Sequence, residues 1–248
     1  MTSPPNDPSL SHHAVSQHWP SGQRKRLAVL VSGRGSNLQA LYQSASAHGF
    51  AIDWLIISNR KEADGLAWAR EQGLSTQLLN HRDFDSREAF DQQLADQLKA
   101  FGPDLVVLAG FMRVLSLAFF ARFQGLMINI HPSLLPSYPG LQTHARALQD
   151  GVAFHGATVH SVTPELDHGP IVAQAVVGVH ARDDEHVLSA RVLEMEHRLL
   201  PMATWALLRG DLQLHEGRWS LTRSQSNLSQ ELQFSRCLVH PLLNANPI

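Results

Sequence analysis

Hydrophobic positions along the chain fall into short unbroken runs separated by helical stripes. The run RLAVLVS (26–32) is almost wholly apolar, the pattern of a strand buried on both faces. A glycine turn follows, and then NLQALYQSASAHG has helical periodicity and closes at Gly49. The unit repeats: AIDWLIIS (51–58) reads as a strand, KEADGLAWAREQG as a helix ending at Gly73, and STQLLN as a third strand. In FDSREAFDQQLADQLKAFGPD the positions Phe90, Leu94, Leu98 and Phe101 share one helical face. Asp85 reads as the N-cap of that helix, with Glu88 three residues on in the manner of a capping box. Two more strands, DLVVLAG (104–110) and LMINIHP (126–132), flank a short helix.

Beyond residue 150 the alternation changes. GATVHSV and PIVAQAVVGV are strands with no helix between them, which predicts a hairpin-like addition. DDEHVLSARVLEMEHRLLPMATWALLRG predicts a long helix interrupted near Pro201, and LQLHEGRWSLT a hairpin turning at Glu216-Gly217. No repeat of solenoid length occurs. The expected fold is α/β: a Rossmann-like open, mainly parallel sheet flanked by helices, with a C-terminal antiparallel addition. Residues 1–25, rich in Pro, Ser and His and without periodicity, read as a disordered extension. Residues 26–223 read as the catalytic domain and 224–248 as a weakly patterned tail.

Composition narrows the function. The 248 residues suit one sizeable α/β domain, and a formal charge of −2 gives no general attraction to nucleic acid or anionic membrane. Cys237 is the single cysteine, so neither an intrachain disulfide nor a cysteine-based zinc site is available. No apolar run approaches membrane-spanning length, and the N-terminus lacks the apolar core of a signal peptide; a soluble cytoplasmic protein is expected. The 15 histidines invite a metal reading, but there is no His-Glu-x-x-His pair. His155 and His160 are an odd number of positions apart, which sends them to opposite faces of a strand. No metal is expected.

Three stretches carry candidate chemistry. In SGRGSN (32–37), Gly33 and Gly35 allow a tight turn, and Ser36 and Asn37 present N–H groups at a helix start, a natural seat for phosphate. It is neither the dinucleotide fingerprint nor a Walker loop, and a bare βα turn has the same local pattern. In INIHPSLLPSYPG, Asn129 and His131 are i and i+2 at the carboxyl end of a parallel strand, where open sheets bind ligands. An amide and an imidazole there can donate together to an oxygen gaining charge, and Pro132 and Pro136 stiffen the exit. A capping Asn and a satisfied buried His would look the same. Downstream, VTPELDHGP places Asp167 in a turn; near His131 it would favour the imidazolium or accept a proton, and otherwise it would hold its own loop.

Taken together, VLVSGRGSNLQAL, FDSREAFDQQL, DLVVLAGFMRVL, INIHPSLLPSYPG and HGATVHSVTPELDHGPIV resemble the folate-dependent phosphoribosylglycinamide formyltransferases, over about residues 26–215. The resemblance implies transfer of formyl from 10-formyltetrahydrofolate, as co-substrate, to the amine of glycinamide ribonucleotide in purine synthesis, through a tetrahedral intermediate. It implies Asn129, His131 and Asp167 as the catalytic trio. Gly35, Ser36 and Asn37 would take the substrate phosphate and Glu196 the ribose; Arg87, Met112, Arg113, Val114 and Leu115 would form the folate pocket. Thr158 and His160, on one face of their strand, would stand behind the trio. The implied partners are these two small molecules, with no nucleic acid or membrane. Arg34 and His168 depart from the family pattern beside the phosphate loop and after Asp167. A formyltetrahydrofolate hydrolase would carry a regulatory domain before the core, and a methionyl-tRNA formyltransferase a tRNA-binding domain after it. A silent nucleotide-binding module on the same scaffold would not need the trio.

Overall fold

The computed structural model describes residues 24–222 and the strand Val239–His240. The expectations for 1–25 and 224–248 therefore fall outside the described residues, apart from Arg24, Lys25 and that strand. Among the described residues there are ten strands: β1 (Lys25–Val31), β2 (Ile52–Ser58), β3 (Ser75–Leu78), β4 (Leu105–Leu108), β5 (Met127–His131), β6 (Phe154–Ser161), β7 (Ile171–Gly178), β8 (Leu212–His215), β9 (Arg218–Leu221) and β10 (Val239–His240). The helices are α1 (Ser36–Ala47), α2 (Asp64–Glu71), α3 (Arg87–Phe101), α4 (Leu117–Arg122), α5 (Thr143–Gln149) and α6 (Glu185–Arg209).

Residues alternating along β1 account for the layers. Leu27, Val29 and Val31 pack with Leu38 and Leu41 of α1, Leu66 of α2 and Leu199 of α6. Ala28 and Leu30 point the other way, onto Phe90, Leu94 and Leu98 of α3 and Phe119 of α4. The sheet order is β10-β7-β6-β5-β4-β1-β2-β3. Pairing is parallel from β3 to β5 and antiparallel from β5 onward, so β5 is the seam between the two halves. This is the expected open, mainly parallel sheet with its antiparallel addition. The β8–β9 hairpin forms a separate small sheet and turns at Glu216 and Gly217, both with positive φ (47° and 75°), as a two-residue hairpin loop favours. Trp219 ties the hairpin down by donating its Nε1–H to Ser161 Oγ (2.9 Å).

Two expectations are corrected. The N-cap of α3 is Ser86, not Asp85: its Oγ accepts from the Ala89 N–H (3.0 Å), the N3 spacing that Asp85 misses by one residue. Glu88 therefore stands in the first turn and does not complete a capping box. The long helix α6 is also continuous through Pro201. A proline in a helix interior costs about 3 kcal/mol, but Leu199, Leu200, Pro201, Ala203, Trp205 and Leu208 are buried on either side of that turn. Burial of both segments against the sheet, with Trp205 Nε1–H bonded to Ser44 Oγ of α1 (2.9 Å), offsets the lost hydrogen bond.

Candidate functional site

Alternation on the three strands around the seam separates core from chemistry. Ile128 and Ile130 of β5, Ala157 and Val159 of β6, and Ala173 and Ala175 of β7 face the α6 side. The intervening positions Asn129, His131, Thr158, His160 and Gln174 project from the opposite face. Register pairs Asn129 with His160 and His131 with Thr158 directly across β5 and β6.

The contacts fix the state of these groups. His160 is buried, and burial pushes its pKa down; the Ser161 carbonyl and Asp167 oppose that shift. The neutral ring donates from Nδ1 to the Ser161 carbonyl (2.9 Å), leaving Nε2 to accept from the Asn129 amide (3.1 Å). His131 donates from Nε2 to the Tyr138 carbonyl (2.9 Å), and its Nδ1 lies 3.5 Å from Asp167 Oδ2. Asp167 Oδ1 is 3.7 Å from His160 Nε2, and Oδ2 accepts the Gly140 N–H (2.8 Å). Asp167 thus faces both histidines, with its side chain only 7% exposed. The turn that delivers it crosses close over β6. A Cβ on Gly169 would meet the Ser161 carbonyl oxygen at 1.8 Å, and Ser161 N–H donates to the Pro170 carbonyl (2.8 Å).

The proline-rich exit from β5 is held by hydrogen bonds as well as by its prolines. Thr158 Oγ1 donates to the Ser133 carbonyl (2.6 Å) and accepts from Leu135 N–H (3.1 Å) and Gln174 Nε2 (3.0 Å); Gln174 also donates to the Leu135 carbonyl (2.8 Å). Ser133 Oγ donates to the Ser137 carbonyl (2.6 Å). This clip presents the Tyr138 carbonyl to His131. Gln174 and Tyr138 were not anticipated. Gln174 had a signal, the one long polar side chain in the run IVAQAVVG; Tyr138 contributes only its backbone and had none.

At the start of α1, Gly35 has φ 75° and caps the helix, whose first residues are Ser36 and Asn37. The turn is packed against the start of α2: a Cβ on Gly35 would lie 2.5 Å from the Gly65 Cα, and Gly65 N–H donates to the Gly33 carbonyl (3.0 Å). Asn37 Nδ2 donates to Glu196 Oε2 (2.7 Å), joining the loop to α6 across 159 residues. Burial raises the Glu196 pKa, against the lowering effect of the Asn37 bond. Arg34 is exposed beside the loop, and His168 is exposed, with Nε2 3.9 Å from Glu165.

The 112–115 segment forms a separate rim. Met112 and Val114 are exposed and Leu115 is buried. Arg113 is not simply solvated: its guanidinium lies over the Phe90 ring at 4.5 Å, and its Nε is buried without a hydrogen-bond partner. Arg87 donates to the Val114 carbonyl. His155, as its odd spacing from His160 implied, joins a different cluster, with Nε2 3.2 Å from His144 Nδ1. Among the described residues no group of three or more His, Cys, Asp or Glu is placed to hold a metal, and no helix is long and apolar enough to cross a membrane.

An amide and an imidazole at one strand end, backed by a carboxylate and set on the same sheet edge as a glycine-framed helix start, are placed as a group-transfer site on an open α/β sheet would need. Residues 25–204 match the formyl transferase family model. The chain is 46% identical over 191 residues to the phosphoribosylglycinamide formyltransferase of Escherichia coli K12, covering 77% of this chain and 90% of that protein. The glycinamide ribonucleotide transformylase 1 structure from Symbiobacterium toebii superposes with a TM-score of 0.76 at 40% identity, over 81% of this chain and 95% of that one. The phosphoribosylglycinamide formyltransferase of Coxiella burnetii, solved with CHES, gives 0.75 at 42% identity, over 80% and 94%. The chain belongs to the formyl transferase family, in its phosphoribosylglycinamide formyltransferase branch.

Proposed function

We propose that this protein transfers the formyl group of 10-formyltetrahydrofolate to the primary amine of 5-phosphoribosylglycinamide, with residues 26–223 as the catalytic unit. The observation that carries this reading is the placement of His131 between the Tyr138 carbonyl and the Asp167 carboxylate, two residues along the strand from Asn129. The amine nitrogen attacks the formyl carbon, its C=O electrons move to oxygen, and an oxyanion forms. The Asn129 amide and the His131 imidazole donate to that oxygen. His131 Nε2 is occupied by the Tyr138 carbonyl, so Nδ1, on the Asp167 side, is the nitrogen left to donate, and it does so from a ring that carries a proton on both nitrogens. The intermediate collapses by breaking the bond to folate N10, and the amine's proton passes to N10 with Asp167 as carrier or charge partner.

Gly35, Ser36 and Asn37 take the substrate phosphate at the α1 N-terminus, and Glu196 accepts from the ribose. Arg87, Met112, Arg113, Val114 and Leu115 line the formyl-folate pocket, with Thr158 and His160 supporting the trio. The reaction needs no metal, nucleic acid or membrane, and the protein works in the cytoplasm. Purified protein incubated with 10-formyltetrahydrofolate and a chelator is expected to form formylated product only when glycinamide ribonucleotide is added. Deformylation without the amine would instead identify a hydrolase, and no turnover under either condition would end the enzyme reading.

Asp167 has φ 56°, a conformation asparagine also tolerates, so D167N tests the carboxylate without disturbing its turn. The variant is expected to melt like the parent while its single-turnover rate falls by roughly 10²–10⁴. A rate within a few-fold of the parent would remove Asp167 from the mechanism.

A further inference from the structure

The segment after β4 has no regular secondary structure, yet three side chains, one from the end of β1 and two from α3, grip it at alternate residues. Ser32 Oγ accepts from the Met112 N–H (2.8 Å), Arg87 donates to the Val114 carbonyl, and Asp91 Oδ2 accepts from the Ser116 N–H (2.7 Å). No other hydrogen bond links the 112–115 backbone to the described residues. The remaining amide and carbonyl groups are therefore free to read a planar heterocycle edge, provided the segment keeps its register.

Ser32 is the anchor closest to the middle of the sheet. It follows the last residue of β1 as Asn59 follows the last residue of β2, one step beyond the Val31–Ser58 pair. Both side chains are buried, at 3% and 1% exposure. Ser32 donates its hydroxyl proton to Asn59 Oδ1 (2.5 Å), which turns an oxygen lone pair toward the Met112 N–H. His81 Nδ1 lies 2.7 Å from the Asn59 carbonyl and steadies that residue from the far side. The relay runs from the end of β2, across the end of β1, to the loop leaving β4, and so bridges the crevice where the strand order reverses.

We propose that Ser32, oriented by Asn59, is a positioning residue for the formyl-folate pocket: it fixes the Met112 amide, and through it the backbone of 112–115, without touching the ligand. The inference rests on the assignment of 112–115 to that pocket. S32A leaves the Met112 N–H without its acceptor. N59A keeps the acceptor but removes the group that aims it. Because the two act in series, the double variant costs no more than S32A alone.

Two readouts test this. In ligand-free S32A, hydrogen–deuterium exchange at the Met112 amide is expected to rise roughly tenfold. In steady state, KM for 10-formyltetrahydrofolate is expected to rise by about the same factor, with KM for glycinamide ribonucleotide and the single-turnover rate held within twofold. N59A is expected to show a smaller change of the same kind, and it serves as the test should S32A not fold. Unchanged exchange, equal rises in both KM values, or effects that multiply in the double variant would overturn the relay. Faster exchange with an unchanged folate KM would overturn the role in folate binding and place the error in the assignment of the pocket.

Discussion

Glu196 is a carboxyl group kept in an unfavourable place. It is 7% exposed on α6, burial raises its pKa, and the Asn37 amide is the partner that opposes the shift. A folded-state pKa raised above the unfolded value means that its contribution to stability is lost as pH rises through the folded value. Proteins keep such groups where a ligand needs them, and here the candidate ligand is a ribose hydroxyl. E196Q removes the buried charge while keeping an acceptor for Asn37. The ligand-free variant is expected to gain about 1 kcal/mol, read as a higher urea midpoint, while KM for glycinamide ribonucleotide rises about tenfold. A variant both less stable and unchanged in KM would contradict the assignment of Glu196 to the substrate.

At the scale of elements, the proposed phosphate loop owes its shape to a second helix. Gly35 and Gly65 meet back to back, so the starts of α1 and α2 are pressed together with no room for a methyl group. A Cβ on Gly65 would lie 2.8 Å from the Gly35 Cα and 3.2 Å from the Gly33 carbonyl oxygen. G65A, 28 to 33 residues from the loop in sequence, is expected to cost roughly 1–3 kcal/mol by overpacking and to raise KM for the phosphorylated substrate but not for the folate. Equal KM values in parent and variant would show that the loop does not depend on this contact. Sequence alone does not reveal Gly65 as special, because in KEADGLAWAREQG it is one small residue in a helical stripe. What was legible follows one rule: local periodicity exposes local structure. The strands, the Glu216-Gly217 turn and the shared face of Asn129 and His131 are set by neighbours within a few residues. The Gly35–Gly65 contact, the Asn37–Glu196 bond and the Thr158–Gln174 clip depend on which strands lie side by side, and only the resemblance pointed toward some of them. Asp85 and Pro201 failed for complementary reasons: a cap is decided by one residue of phase, and a proline by how firmly both flanking turns are packed.

Over the described residues as a whole, buried and half-buried histidines make the fold sensitive to acid. Burial, with His144 and His131 adding to it, holds the His155 pKa down at about 4 against an ordinary 6.5. Burial is also the main cause lowering His144, His160 and His197. Between about 4 and 6.5 the unfolded chain binds more protons than the folded one at His155, so stability is full above this window and is lost as pH falls through it. Glu196 works in the opposite sense, but one carboxyl stands against four imidazoles. Urea midpoints measured at constant ionic strength are expected to fall steadily from pH 7.5 to 5; a level profile would refute this account. The seam at β5 has a consequence in time. Asn129 and His131 end the parallel half, while His160 and Asp167 arrive only with the antiparallel addition. A chain in which only the parallel half had formed would lack His160 and Asp167 beside the proposed centre. With the proposed trio, the return of formyl transfer marks the completion of the long-range contacts, the docking of β6 along β5 among them.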